Sequence, residues 1–136
     1  MTPTSARLLA AAAVAGCLLA GGARAQPQPA KPEYLPYVEF SPADTPQQVS
    51  LKHAYNEAVQ RYNQARYDYF VTLERHNRLV DVHNTSTDPA EKKRAREEAK
   101  PLRARLEDLR RSVAVRAGAV DQAARRAAAG GVSITP

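Results

Sequence analysis

The chain has 136 residues, with 20 Lys and Arg, 14 Asp and Glu, and one cysteine. This length suits one domain, and a lone cysteine excludes an internal disulfide or a thiolate zinc cluster. The net charge of +6 points toward anionic partners.

Residues 1–25 have the form of a secretory signal. Arg7 supplies the charged start, residues 8–20 form an apolar run, and Ala23-Arg24-Ala25 fits the small-x-small cleavage rule. The run is too short for a permanent bilayer anchor. Cleavage is expected after Ala25. The alternative is Val14-Ala15-Gly16-Cys17, which resembles the lipobox of bacterial lipoproteins and would make Cys17 a lipidated first residue. Leu18 and Leu19 carry the apolar run past Cys17, which favours cleavage after Ala25. Cleavage there removes Arg7 and Arg24 and leaves 18 minus 14, or +4, and no cysteine. A basic, exported, Ala- and Arg-rich chain reads as a bacterial periplasmic or secreted protein. It is expected to meet anionic lipid, cell-wall polymer or an acidic client, and not nucleic acid.

Residues 26–45 carry Pro27, Pro29, Pro32, Pro36 and Pro42. Each proline fixes its own φ and pushes its predecessor toward extended geometry, so this segment reads as a polyproline-like linker. Tyr34, Leu35, Tyr37, Val38 and Phe40 are too apolar for a plain linker. They are expected to fold back on the helical body, or else to serve as a docking motif.

Thr45-Pro46-Gln47-Gln48 starts the first helix, predicted over 46–84. A capping hydroxyl, a proline at the first helical position and a Gln at N3 stand in sequence. From residue 54 the chain runs in sevens, with rings at Tyr55, Tyr62, Tyr69, His76 and His83. With these as position a, Leu51, Ala58, Ala65, Thr72 and Leu79 fill d, and Val59, Leu73 and Val80 stand at e. A seven-residue apolar repeat is the mark of a helix packed along a partner helix. Asn56, Asn63, Asn77 and Asn84 stand beside the rings, with Phe70 at the fifth place. They read as polar flank of the stripe, or as a hydrogen-bonding ladder to a partner.

Asp88-Pro89-Ala90-Glu91 restarts the helix after a short turn, so two helices become antiparallel neighbours. The second helix is predicted over 89–129, with a kink near Pro101 and a stop at Gly130-Gly131. A loose tail is expected over 130–136. Folding the hairpin about residues 86–88 sets Tyr69 opposite Leu106, Tyr62 opposite Val113 and Tyr55 opposite Val120. Arg116 falls in a core column, where it either snorkels outward or lies on a tyrosine face.

His76 and His83 are seven residues apart, ~10.5 Å along a helix, too far to share one ion; interface histidines are the expected reading. No nucleophile–base pair, glycine-rich phosphate loop or cofactor motif stands out, and no enzyme activity is expected. Residues 89–129 hold 12 Lys and Arg against 6 acids, while 46–88 balance at 5 and 5. Tyr55-Asn56, Tyr62-Asn63 and Tyr69 resemble a helical stretch of the LemA family of membrane-associated bacterial helical proteins. The resemblance covers about 16 residues, and Phe70 stands where that family has proline. It carries no functional residue across.

The sequence thus predicts an all-α, antiparallel two-helix coiled-coil hairpin behind a Pro-rich extended segment. It is expected to act as a structural or adaptor protein through a protein partner or self-association. The alternatives are a holdase-like periplasmic chaperone and a membrane or cell-wall binding module. Helix packing is expected at Tyr55, Tyr62, Tyr69, His76, Leu79, Leu106, Val113 and Val120, and partner contact at Tyr34, Tyr37, Phe40, Asn63 and Asn77.

Overall fold

The structure is a computed structural model that describes residues 31–134. The expected signal sequence and the Cys17 alternative lie outside the described residues. Two helices, α1 (Pro46–Thr85) and α2 (Pro89–Ala129), pack against each other along their length, and there is no strand among the described residues. Only residues 86–88 join them, so α2 returns along α1.

The helix starts follow from the sequence. Thr45 and Gln48 form a reciprocal capping box, with Gln48 N–H donating to Thr45 Oγ1 at 3.2 Å and Thr45 N–H donating to Gln48 Oε1 at 3.0 Å. Asp88 Oδ1 accepts from Ala90 N–H at 2.8 Å. At this second cap, Glu91 does not complete a box. It accepts from the Ser86 hydroxyl, and Ser86 Oγ in turn accepts from Asp88 N–H at 3.1 Å. The turn is pinned across the tip by His83, whose Nδ1 lies 3.1 Å from the Lys92 carbonyl. A carbonyl only accepts, so Nδ1 carries the proton.

The core is a stripe, not a centre. Tyr55, Val59 and Val120 form its buried cluster near the open end, in the register that pairs Tyr55 with Val120. Ala65, Leu73, Val80, Ala95 and Leu106 extend the burial toward the tip. Val59 is fully buried, whereas Tyr62, Tyr69, His76, Leu79 and Val113 are half-buried. The stripe on α1 therefore runs deepest along the column of Val59, Leu73 and Val80, one step from the rings toward the asparagines.

Of the local expectations, the loose tail is corrected. Helix α2 runs unbroken through Pro101. Pro101 and Glu97 are both exposed, so water can serve the carbonyl that loses its helical donor. The residues after α2 are not loose through Ile134. Gly131 takes φ +78° and its N–H donates to Ala128 O, while Val132 N–H donates to Ala127 O. This paired closure is the Schellman geometry, and its hydrophobic follower Val132 is buried. Ile134 packs on the Tyr55 cluster. Arg116 does not lie on a tyrosine; its Nε donates to Ser112 Oγ at 3.2 Å. The ring contact belongs to Arg66, whose guanidinium carbon sits 5.7 Å from the Tyr62 ring centroid. Arg66 occupies the same column as Val59 and Leu73.

Candidate functional site

The segment before α1 does not hang free. Residues 31–40 form a strap that runs back along α1, and Leu35 and Val38 pack on the Tyr55–Val59–Val120 cluster beside Ala123 and Ala124 of α2. The strap therefore lies in the groove between the helices at their open end.

Two asparagines hold it by its backbone. Asn56 accepts Val38 N–H at Oδ1 (2.8 Å) and donates Nδ2–H to Val38 O (2.8 Å). Asn63 does the same with Leu35, both bonds at 2.9 Å. A carboxamide has one acceptor and one donor face, which match the N–H and C=O of one extended residue. The spacings match as well. Seven helical residues advance ~10.5 Å, and three polyproline-like residues advance ~9.3 Å. Among the described residues the third rung is missing, for a reason readable in the sequence. The next rung would join position 70 to residue 32; the first is Phe70 and the second is Pro32, which has no N–H.

Period three also sorts the strap's side chains. Pro32, Leu35 and Val38 are half-buried against the hairpin. Tyr34, Tyr37 and Phe40 form a second row, exposed at 52%, 56% and 46%. Phe40 has one neighbour ring, His53, at 4.6 Å between centroids.

A turn over 41–44 reverses the chain into α1. Asp44 N–H donates to Ser41 O at 3.0 Å, and Ser41 N–H donates to Asp44 Oδ2 at 2.7 Å. Lys52 closes the arrangement. Its Nζ reaches Asp44 at 2.7 Å and the Glu39 carbonyl at 3.0 Å, tying turn and strap to one helical side chain. The Lys52 hydrogen bond, helped by Ser41 N–H, holds the Asp44 carboxyl below its ordinary value of 3.8. Burial pushes the Tyr55 hydroxyl above its ordinary 10.0.

The sequence-derived contact residues thus separate. Tyr34, Tyr37 and Phe40 face solvent from the strap, while the Asn63 carboxamide is engaged by Leu35 and Asn77 is buried. Lys52 and His53 belong to the strap's seat and were not singled out by sequence reasoning, whereas Asn56 stood in the asparagine column whose partner the sequence left open. The three-residue period of the strap, set against the seven-residue period of the asparagines, is the signal that pairs Asn56 and Asn63 with the strap.

On the face away from the strap, an open depression of about 490 Å³ lies between Gln60, Gln64 and Asp68 of α1 and Leu109, Ser112 and Arg116 of α2. Its Arg116 and Ser112 bond each other. Among the described residues no group of three or more His, Cys, Asp or Glu is placed to hold a metal ion, and no helix is long and apolar enough to cross a membrane. Exposed cations line α2 at Lys93, Arg96, Arg103, Arg105 and Arg110. Comparisons of the chain with protein-family models, curated proteins and solved structures gave no match.

Proposed function

We propose that this protein is an exported, non-catalytic adaptor of the bacterial envelope, a coiled-coil-type hairpin that meets a protein partner through its strap. One observation carries the reading: a clamped strap presents Tyr34, Tyr37 and Phe40 to solvent in a row. Aromatic side chains are costly to leave exposed and are the side chains interfaces favour. Clamping the strap to a helix removes much of the ordering cost that a free linker would meet on binding. The signal-like residues 1–25 support export.

Photo-crosslinking in intact cells tests this. A crosslinking residue at Tyr37 gives one or two discrete partner bands on this reading, and the same residue at Arg105 gives few. A smear of many exported proteins from both positions would replace the adaptor with a holdase-like chaperone. The cations of α2 favour a second reading, adhesion to an anionic envelope surface. Retention that falls steeply with ionic strength would mark it.

A further inference from the structure

We propose that the strap exchanges between copies of this chain, so that the groove of one hairpin, read by Asn56 and Asn63, takes the strap of a second copy. This goes beyond the adaptor reading and does not depend on which partner the aromatic row meets.

The seat has the properties of a peptide-binding site. Both asparagines recognise backbone alone, through four hydrogen bonds, and two aliphatic side chains three residues apart supply the apolar contact. Its ligand class is an extended peptide with aliphatic residues at i and i+3 and an N–H on both. The sequence that meets those terms is the chain's own Leu35-Pro36-Tyr37-Val38, and any copy carries it. One strap and one groove per chain close a two-fold dimer with every clamp satisfied, the arrangement of a domain swap.

The connection between strap and helix is suited to opening. It is one turn, residues 41–44, held by the Asp44-to-Ser41 backbone bond, the Asp44 carboxylate and the Lys52 ammonium, which must release Asp44 and the Glu39 carbonyl. Straightened, four residues reach roughly 13 Å, more than the ~10 Å width of a helix, so a neighbouring hairpin is within range. Straightened connections of a swapped pair cross near the two-fold axis. Phe40, exposed and next to the turn, is the side chain such a crossing covers.

The test measures the mass of the full-length chain by light scattering across concentration. Deleting Pro42 and Ala43 leaves too little chain for the strap to turn back into its own groove. That variant should run as a dimer, and adding Asn56→Ala with Asn63→Ala should return it to monomer, at least a tenfold weakening of association. A deletion variant that stays monomeric with its helix content intact overturns the proposal, as does a dimer that ignores the two alanines. A second measurement covers a deletion that fails to fold. Isotopically heavy full-length chain with a photo-crosslinker at Tyr37 is mixed with light chain. Heavy–light crosslinks to the light α1 should increase with concentration; crosslinks confined to one chain at all concentrations overturn the proposal.

Discussion

Asn63 holds Leu35, 28 positions away in sequence, through both faces of its carboxamide: N–H to Oδ1 and Nδ2–H to the carbonyl, each at 2.9 Å. Asn56 repeats the contact with Val38 one heptad earlier. Through these bonds a two-helix stripe becomes a three-element base, with the strap adding cover to Tyr55 and Val59.

Asn56→Ala with Asn63→Ala should open the strap while leaving the helices formed. Four hydrogen bonds at about 1 kcal/mol each set the loss of strap attachment at about 2–4 kcal/mol, since water recovers part of it. Alanine favours helix over asparagine by roughly 0.5 kcal/mol per site, a gain that appears in helicity and not in strap closure. Limited chymotrypsin cleavage at Tyr34 and Tyr37 should therefore accelerate as circular dichroism holds or rises slightly.

Val59 has no solvent exposure and sits where both helices and the strap meet. Val59→Ala should cost about 2 kcal/mol by removing two methyl groups from a packed site. In a domain of this size that lowers Tm by about 10 °C, read in a thermal melt.

Pro101→Ala should stabilise. The helix continues through Pro101, which is exposed and makes no contact that alanine would forfeit to the core. Recovering one helical hydrogen bond and relieving the ring clash should raise stability by roughly 2–3 kcal/mol. The melting temperature checks it.

Acid should loosen the strap's turn. The Asp44 pKa is held below its ordinary value by Lys52. The carboxylate's contribution is therefore present above the unfolded pKa and is lost as pH falls through the depressed folded value. Strap protection should drop below pH ~4, and Asp44→Asn should be weakly held at neutral pH and lose that dependence. Hydrogen exchange at the strap amides against pH reads both.

Much of the frame was legible from local chemistry. Thr45 and Asp88 announce their helices because a cap is read within three residues, and the Tyr55–Val120 pairing follows from counting back around a short turn. The strap's seat was harder. Asn56 and Asn63 look like tolerated polar flank because their partners are backbone groups far off in sequence, and a backbone group leaves no residue signature. The rung between position 70 and residue 32 is missing, since Phe70 has no carboxamide and Pro32 no N–H. A charged residue in an apolar column reads as a gap, yet the Arg66 guanidinium lies by the Tyr62 ring and donates to its hydroxyl at 3.0 Å. The Val132–Ile134 tail looked loose for want of length, while the left-handed Gly131 turns it back onto the core.

The most direct test of the clamped strap is residue-resolved amide hydrogen exchange on the full-length chain. Leu35 and Val38 should be protected, while the intervening Tyr37 exchanges at least tenfold faster, and both protections should vanish together in Asn56→Ala with Asn63→Ala. Leu35 and Val38 amides exchanging as fast as Tyr37 in the unmodified chain would contradict the account.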